Sequence, residues 1–285
     1  MGPSPCQRLG ILWGYISTKS TISSSSRVYS REERYIMETR IKLINGKCAV
    51  NVLARDPDNA RELYEAAEGS IIIGVLVKKF PTDDECIDYI RQLQGVVDVV
   101  SIGLGQGDPG AWQRVATVAA GVDAGHVNQV FPATAYTIGL LKARGLDHQI
   151  VNALVAPSGK PGWVRISTGP LSEKCQEQAV VPAEVAATMV KEIGGQSIKF
   201  FPIEGTKHLD EVRAMARAAV QAGITMFEPT GGLTPDNVDQ VVAACLEEGC
   251  QVVTPHIYGA LVDKRTGLTN VAAVKEIMVK LQKLG

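Results

Sequence analysis

The chain has 285 residues, 45% of them hydrophobic and 21% charged, an ordinary globular composition that excludes a disordered or collagen-like protein. Lys plus Arg number 29 and Asp plus Glu 30, a formal net charge of −1. That balance leaves no electrostatic footprint for nucleic acid or for an anionic membrane, although a local cluster can still hold a small anion.

Residues 1 to about 36 differ from the rest. Ser23 to Ser26, flanked by Thr21 and Arg27, is a low-complexity polar stretch. The one apolar patch, Gly10 to Ile16, is short, interrupted by glycine and followed by no small-residue cleavage site, so it makes a weak signal-peptide core. A Ser-rich segment without acids before Glu32 also has the composition of a transit peptide, and Met37 offers a second possible start. The reading adopted is a disordered or non-native extension over residues 1–36, with one folded domain over 37–285.

From Lys47 onward short β-branched runs alternate with segments of helical period. The strand candidates are Cys48 to Leu53, Ser70 to Val77, Val97 to Leu104, His126 to Phe131, Gln149 to Val155, Gln196 to Phe201, Ile224 to Glu228 and Cys250 to Pro255. Between them, Asp58 to Ala67 carries Leu63, Ala66 and Ala67 at helical spacing. Thr82-Asp83-Asp84-Glu85 has the spacing of a capping box. Thr234-Pro235 pairs an N-cap threonine with proline at the first helical position. After Val155 comes a long strand-to-helix connection, with a strand-like stretch Trp163 to Ser167 and a helix from about Pro182. Such elaborated connections shape active sites. Strand-then-helix repeated about eight times predicts a single-domain α/β fold, a (β/α)8 TIM barrel. A doubly wound open sheet would give the same periodicity.

The six cysteines (Cys6, Cys48, Cys86, Cys175, Cys245 and Cys250) form no CxxC pair and no zinc-ligand spacing. They read as reduced, mostly buried residues of a cytoplasmic protein. No apolar run approaches the ~18 residues that a membrane helix needs.

Two stretches carry chemistry. In Ser197-Ile198-Lys199-Phe200-Phe201-Pro202-Ile203-Glu204, strand alternation sends Ile198 and Phe200 to one face and Lys199 to the other. Inside an apolar barrel desolvation lowers a lysine's pKa and leaves a free amine able to attack a ketone. On an edge strand the same lysine would be a solvated surface residue. In Glu228-Pro229-Thr230-Gly231-Gly232-Leu233 a strand runs into glycines whose N–H groups can cradle a phosphate, and a plain tight turn has the same composition.

Taken together, Lys-Phe-Phe-Pro-x-Glu and the following Pro-Thr-Gly-Gly-Leu-x-Pro-x-Asn resemble the 2-keto-3-deoxy-6-phosphogluconate (KDPG) aldolase family. The chain from about Cys48 onward is most similar to a bacterial branch, the KDGP aldolases of glucosaminate-type sugar-acid breakdown. The segments that carry this likeness are Asn51 to Ala54, His126 to Phe131, Val164 to Pro170, Gly194 to Lys199 and Pro255 to Tyr258. The resemblance implies a barrel enzyme, a carbon–carbon lyase with no cofactor and no metal, forming homo-oligomers. It implies Lys199 as the Schiff-base residue, and Thr230, Gly231 and Gly232 as phosphate contacts. The expected substrate is a phosphorylated 2-keto-3-deoxy sugar acid, split to pyruvate and glyceraldehyde 3-phosphate. Two other readings stand beside it: cleavage of 4-hydroxy-2-oxoglutarate, and a non-catalytic phosphosugar-binding barrel.

One departure concerns proton transfer. KDPG aldolases carry a strand-two glutamate in a Glu-Val-Thr-x-Arg stretch, whereas Ile73-Gly74-Val75-Leu76-Val77-Lys78-Lys79 has no acid. Glu228 and Glu204 are the two candidates for that role. Arg165, Thr168 and Gly169 are further candidate anion contacts, as is Lys78. His256, after the eighth strand, is a candidate for phosphate contact or proton transfer. His126 and His148 fall at strand starts, where stability is the default role.

Overall fold

The computed structural model describes residues 40–284; the extension expected over residues 1–36 and the start at Met37 lie outside them. Strand and helix alternate as the periodicity predicts. The order is β1 (Val50–Leu53), α1 (Pro57–Ala66), β2 (Ile71–Leu76), α2 (Asp83–Gln94), β3 (Val100–Gly103), α3 (Trp112–Gly121), β4 (Gly125–Val130), α4 (Phe131–Ala143) and β5 (Ile150–Pro157). The second half runs β6 (Trp163–Ile166), β7 (Val180–Pro182), α5 (Ala183–Glu192), β8 (Ser197–Phe200), α6 (Leu209–Gln221), β9 (Met226–Pro229), α7 (Val238–Glu247), β10 (Val252–Val253) and α8 (Val271–Gln282).

Helix starts follow local chemistry. The Asp56 carboxylate accepts from the Asn59 N–H at 2.9 Å with Pro57 in the first turn, and the Thr82 hydroxyl accepts from the Glu85 N–H at 3.2 Å. The capped start expected at Thr234-Pro235 comes later, because α7 begins at Val238. Asn237 explains the delay: its Oδ1 accepts from the Thr234 N–H at 2.9 Å and its Nδ2 donates to the Gly232 carbonyl at 3.1 Å. These bonds fold Thr234 to Asn237 into a turn ahead of the helix.

Among the described residues eight strands are parallel, in the order β1-β2-β3-β4-β5-β8-β9-β10. β6 and β7 form an antiparallel excursion on the far end of β5, with Val155 opposite Ile166. The long connection after Val155 is therefore a small sheet extension that leads into α5. β1 also bonds to the segment that follows β10. The Asn51 N–H donates to the Pro255 carbonyl at 3.0 Å, and the Ile257 N–H to the Asn51 carbonyl at 2.9 Å. Parallel bridges pair Cys48 with Val253 and Asn51 with His256.

Alternation divides each strand between two environments. Val50, Val52, Ile71, Ile73, Val100, Ile102, Ile198, Phe200 and Phe227 pack toward the helices in one large apolar core. Each such side chain removed from water contributes about 1.5–3 kcal/mol. The opposite face carries a second apolar cluster near the strand starts: Ala49, Ile72, Val99, Ile150, Met226 and Val252, covered by Ile41. Five free cysteines are described, of which Cys48, Cys86, Cys245 and Cys250 are buried and Cys175 is exposed. No helix among the described residues is long and apolar enough to cross a membrane.

Candidate active site

One step along each strand from that second apolar cluster, the inner face turns polar. Asn51, Ser101, His126, Asn128, Asn152, Ser197, Glu228, Thr254 and His256 are all buried there. Buried polar groups are tolerated when they satisfy one another, and most of these do. The Asn128 amide donates to Ser101 Oγ at 2.9 Å and to the Ile102 carbonyl at 3.0 Å. Its Oδ1 accepts from Asn152 Nδ2 at 3.2 Å and from Lys199 Nζ at 3.2 Å.

Lys199 stands above this layer. Register puts it beside Leu154 of β5 and Glu228 of β9, and its amine contacts His256 Nδ1 at 3.1 Å. Burial pushes its pKa down from 10.5 to about 8, against the opposing pull of the Glu228 charge. Glu228 is 0% exposed. One carboxylate oxygen accepts from His126 Nε2 at 2.6 Å, and the other accepts from His256 Nε2. Burial alone would raise this carboxyl, but the two imidazoles hold it well below the usual range. Burial and the neighbouring Lys199 charge drive His256 down to about 3, with Glu228 opposing, so its ring is neutral. A neutral ring that donates through Nε2 presents the Nδ1 lone pair to the lysine.

Above the polar floor opens a cavity of about 690 Å³. Its walls include Leu53, Leu76, Leu154 and Phe201. Gly103 to Gly107 form one rim, and Thr230 to Thr234 with Tyr258 another. Asn128, Lys199 and His256 are at its base. Gly231 and Gly232 have φ of +100° and +71°. A Cβ on Gly232 would lie 2.3 Å from the Gly205 nitrogen, so only glycine fits this turn. Among the described residues, the N–H groups of Gly231, Gly232 and Leu233 donate to no protein acceptor. An arc of free amides on a cavity rim suits an anion. No group of three or more His, Cys, Asp or Glu among the described residues is arranged to hold a metal ion.

The structure sorts the residues singled out from the sequence. Lys199, Thr230, Gly231, Gly232 and His256 all line this cavity. Glu228 lies beneath it and reaches it through His256. Glu204 is exposed outside it, paired with Lys207 at 2.7 Å and with His208 at 3.6 Å. Arg165 sits on the β6 excursion, paired with Glu177 at 2.9 Å. Thr168 Oγ1 donates to Gln176 at 3.3 Å, and Gly169 borders a separate surface hollow with Trp112 and Tyr136. Lys78 is exposed, 4.0 Å from Asp108, with its stem against Gly105. His148 bonds Asp123 at 2.8 Å at the strand-start end, as its position suggested. His126, also near a strand start, is fully buried, and its ring joins Ser101 to Glu228 in the network beneath the cavity. Sequence reading passed over Asn128 and the Gly103 to Gly107 rim. The available signal was His126 and Asn128 at alternate positions of one strand, which puts two polar side chains on the same face.

A sequence model of the KDGP aldolase family matches residues 44–265. The 2-dehydro-3-deoxy-phosphogluconate aldolase of Salmonella typhimurium (strain 14028s / SGSC 2262) is 40% identical over 239 residues, 84% of this chain and 96% of that protein. Two solved structures share the fold at low identity. Thiamine phosphate pyrophosphorylase from Pyrococcus furiosus has a TM-score of 0.52 at 14% identity, covering 87% of this chain and 98% of its own. (S)-3-O-geranylgeranylglyceryl phosphate synthase from Thermoplasma acidophilum has a TM-score of 0.50 at 13% identity, covering 90% of this chain and 100% of its own.

Proposed function

This chain belongs to the KDGP aldolase family, and from that premise we propose that it cleaves 2-dehydro-3-deoxy-6-phosphogluconate through a Schiff base on Lys199. The activity is that of its Salmonella relative, a 2-dehydro-3-deoxy-phosphogluconate aldolase. The observation that carries the Schiff-base reading is the Lys199 amine, with its pKa pushed down to about 8 at the base of the cavity. The free amides of the Gly231 to Leu233 turn offer the phosphate of such a substrate an anion contact on the cavity rim.

In the proposed sequence Lys199 adds to the C2 ketone, and loss of water gives an iminium. The C4 hydroxyl proton leaves to a base, the C3–C4 bond breaks, and its electrons flow into the iminium. Glyceraldehyde 3-phosphate departs. The remaining enamine takes a proton at C3, and water releases pyruvate and restores the amine. The leucines and Phe201 on the cavity wall exclude bulk water from the reactive enamine.

We also read the eight parallel strands as a closed (β/α)8 barrel forming one domain over residues 37–285, supported by the bonds between Asn51 and the Pro255 to Ile257 segment. Four buried, unpaired cysteines support a cytoplasmic location. The exposed side chains of Tyr136 and Leu171, 57% and 89% accessible, support assembly into a homo-oligomer.

The test is intact-mass spectrometry after adding pyruvate and sodium borohydride, followed by peptide mapping. One reduced pyruvyl group on Lys199, absent from Lys199→Ala, is the expected result. Folded wild-type protein that traps no pyruvate would sink the Schiff-base mechanism.

A further inference from the structure

We propose that His256, oriented by the buried carboxylate of Glu228, is the group that moves protons between the reacting carbons and the enzyme; the inference rests on the Schiff-base reading above. Among the described residues lining the cavity, only Lys199, His256 and Tyr258 titrate. Lys199 is consumed in the covalent bond. The Tyr258 hydroxyl donates to Asn51 Oδ1 at 3.0 Å, and burial raises its pKa above the ordinary tyrosine value, which keeps the phenol protonated and its proton engaged with Asn51. His256 alone combines an open lone pair with a position 3.1 Å from the Lys199 amine.

The space that a strand-two acid would need is already filled. The inward positions of β2 near this depth are Gly74 and Leu76. A Cβ on Gly74 would lie 2.3 Å from the Tyr258 oxygen and 2.8 Å from its ring carbon. Tyr258 therefore occupies the volume in front of β2, and the imidazole of His256, its ring centre 5.7 Å from that of Tyr258, is the titratable group left beside the lysine. Glu204 is outside the cavity, and both Glu228 oxygens face imidazoles beneath its floor. Glu228 thus acts through His256 rather than on substrate.

The geometry makes His256 a competent shuttle. Its Nε2–H bond to Glu228 keeps Nδ1 unprotonated and pointed at Lys199. An iminium carbon bonded to Nζ brings C3 and the C4 hydroxyl within a few ångströms of that lone pair. In cleavage, Nδ1 takes the C4 hydroxyl proton as the C3–C4 pair enters the iminium. The imidazolium, paired with the Glu228 carboxylate, then returns that proton to C3 of the enamine. With bound pyruvate the same step runs back and forth as exchange of the C3 methyl protons. The charged and titratable groups facing His256 are Lys199, Glu228, Tyr258 and, at 6.2 Å between ring centres, His126.

The experiment compares wild type, His256→Asn and Glu228→Gln, each checked for folding by circular dichroism. Two signals are read: borohydride trapping of pyruvate, and exchange of pyruvate methyl protons in D2O followed by NMR across pH. His256→Asn is expected to trap pyruvate on Lys199 yet exchange at least ~100-fold more slowly, the scale of general acid–base catalysis. Glu228→Gln is expected to trap pyruvate, exchange more slowly and show a displaced pH profile. His256→Asn exchanging at the wild-type rate overturns the proposal, as does folded His256→Asn that neither traps nor exchanges. If His256→Asn does not fold, Glu228→Gln with wild-type exchange and an unmoved pH profile overturns it instead. Wild type that traps no pyruvate is a separate outcome and removes the Schiff-base reading itself.

Discussion

The reactivity of Lys199 is a contest between burial, which disfavours the ammonium, and the Glu228 charge, which favours it. Burial wins, and the amine settles near a pKa of about 8 instead of 10.5. At pH 7 roughly one lysine in ten is then the free amine, some two orders of magnitude more than for an unperturbed lysine. The direction of the pH dependence follows. The nucleophile is the unprotonated form, so a lowered pKa moves activity toward neutral pH. The initial rate of pyruvate trapping should rise about tenfold per pH unit below 8 and level off above it. The other groups facing the amine are His256, already neutral in this range, and the uncharged Asn128. Trapping rates measured from pH 6 to 10 check this, and a rise that continues to pH 10 would contradict the desolvated lysine.

Among the elements, the turn from β9 to α7 is the most constrained. Gly232 holds a φ of +71°, and its missing Cβ leaves room for the Glu204–Gly205 backbone, 2.3 Å from where that atom would be. Neither obstacle is a flexible side chain, so the backbone itself must shift. Gly232→Ala should cost about 1–3 kcal/mol of stability from the strained conformation. It should also raise KM for the phosphorylated substrate while leaving pyruvate trapping on Lys199 intact. Urea denaturation and steady-state kinetics read the two effects separately. Unchanged KM would remove the turn from the phosphate site.

At the scale of the whole molecule, stability and chemistry occupy opposite ends of the strands. Ile41 seals the apolar cluster of Ala49, Ile72, Val99, Ile150, Met226 and Val252 at the strand starts. The cavity opens at the strand ends, where ligands bind in parallel α/β folds. Polar residues such as Ser101 and Asn152 separate the two layers. Ile41→Ala removes buried methyl and methylene groups and should cost about 2–5 kcal/mol. Turnover of the protein that remains folded should be unchanged. A loss of kcat matching the loss of stability would show that the two layers are coupled.

Periodicity was enough to make the alternation of strands and helices legible, because burial on a helix or a sheet leaves its spacing in the chain. It gave the side on which Lys199 lies and the eight parallel strands. The Thr230 to Gly232 turn was readable because positive φ and close backbone approach demand glycine. Partners across the sheet were not readable. His126 meets Glu228 over 102 residues and Lys199 meets His256 over 57. Local spacing carries no information about either meeting. Alternation states which face a side chain takes, but not its depth or its neighbour. Glu204 and Glu228 were therefore equivalent until packing exposed one and buried the other between two imidazoles. Arg165, Thr168 and Gly169 ended outside the cavity because the β6–β7 excursion carries them away from it. The chain alone determined the scaffold and the nucleophile candidate. Only the tertiary structure decided which acid, imidazole and amides converge on that lysine, since convergence is set by strand order and register, which are long-range properties.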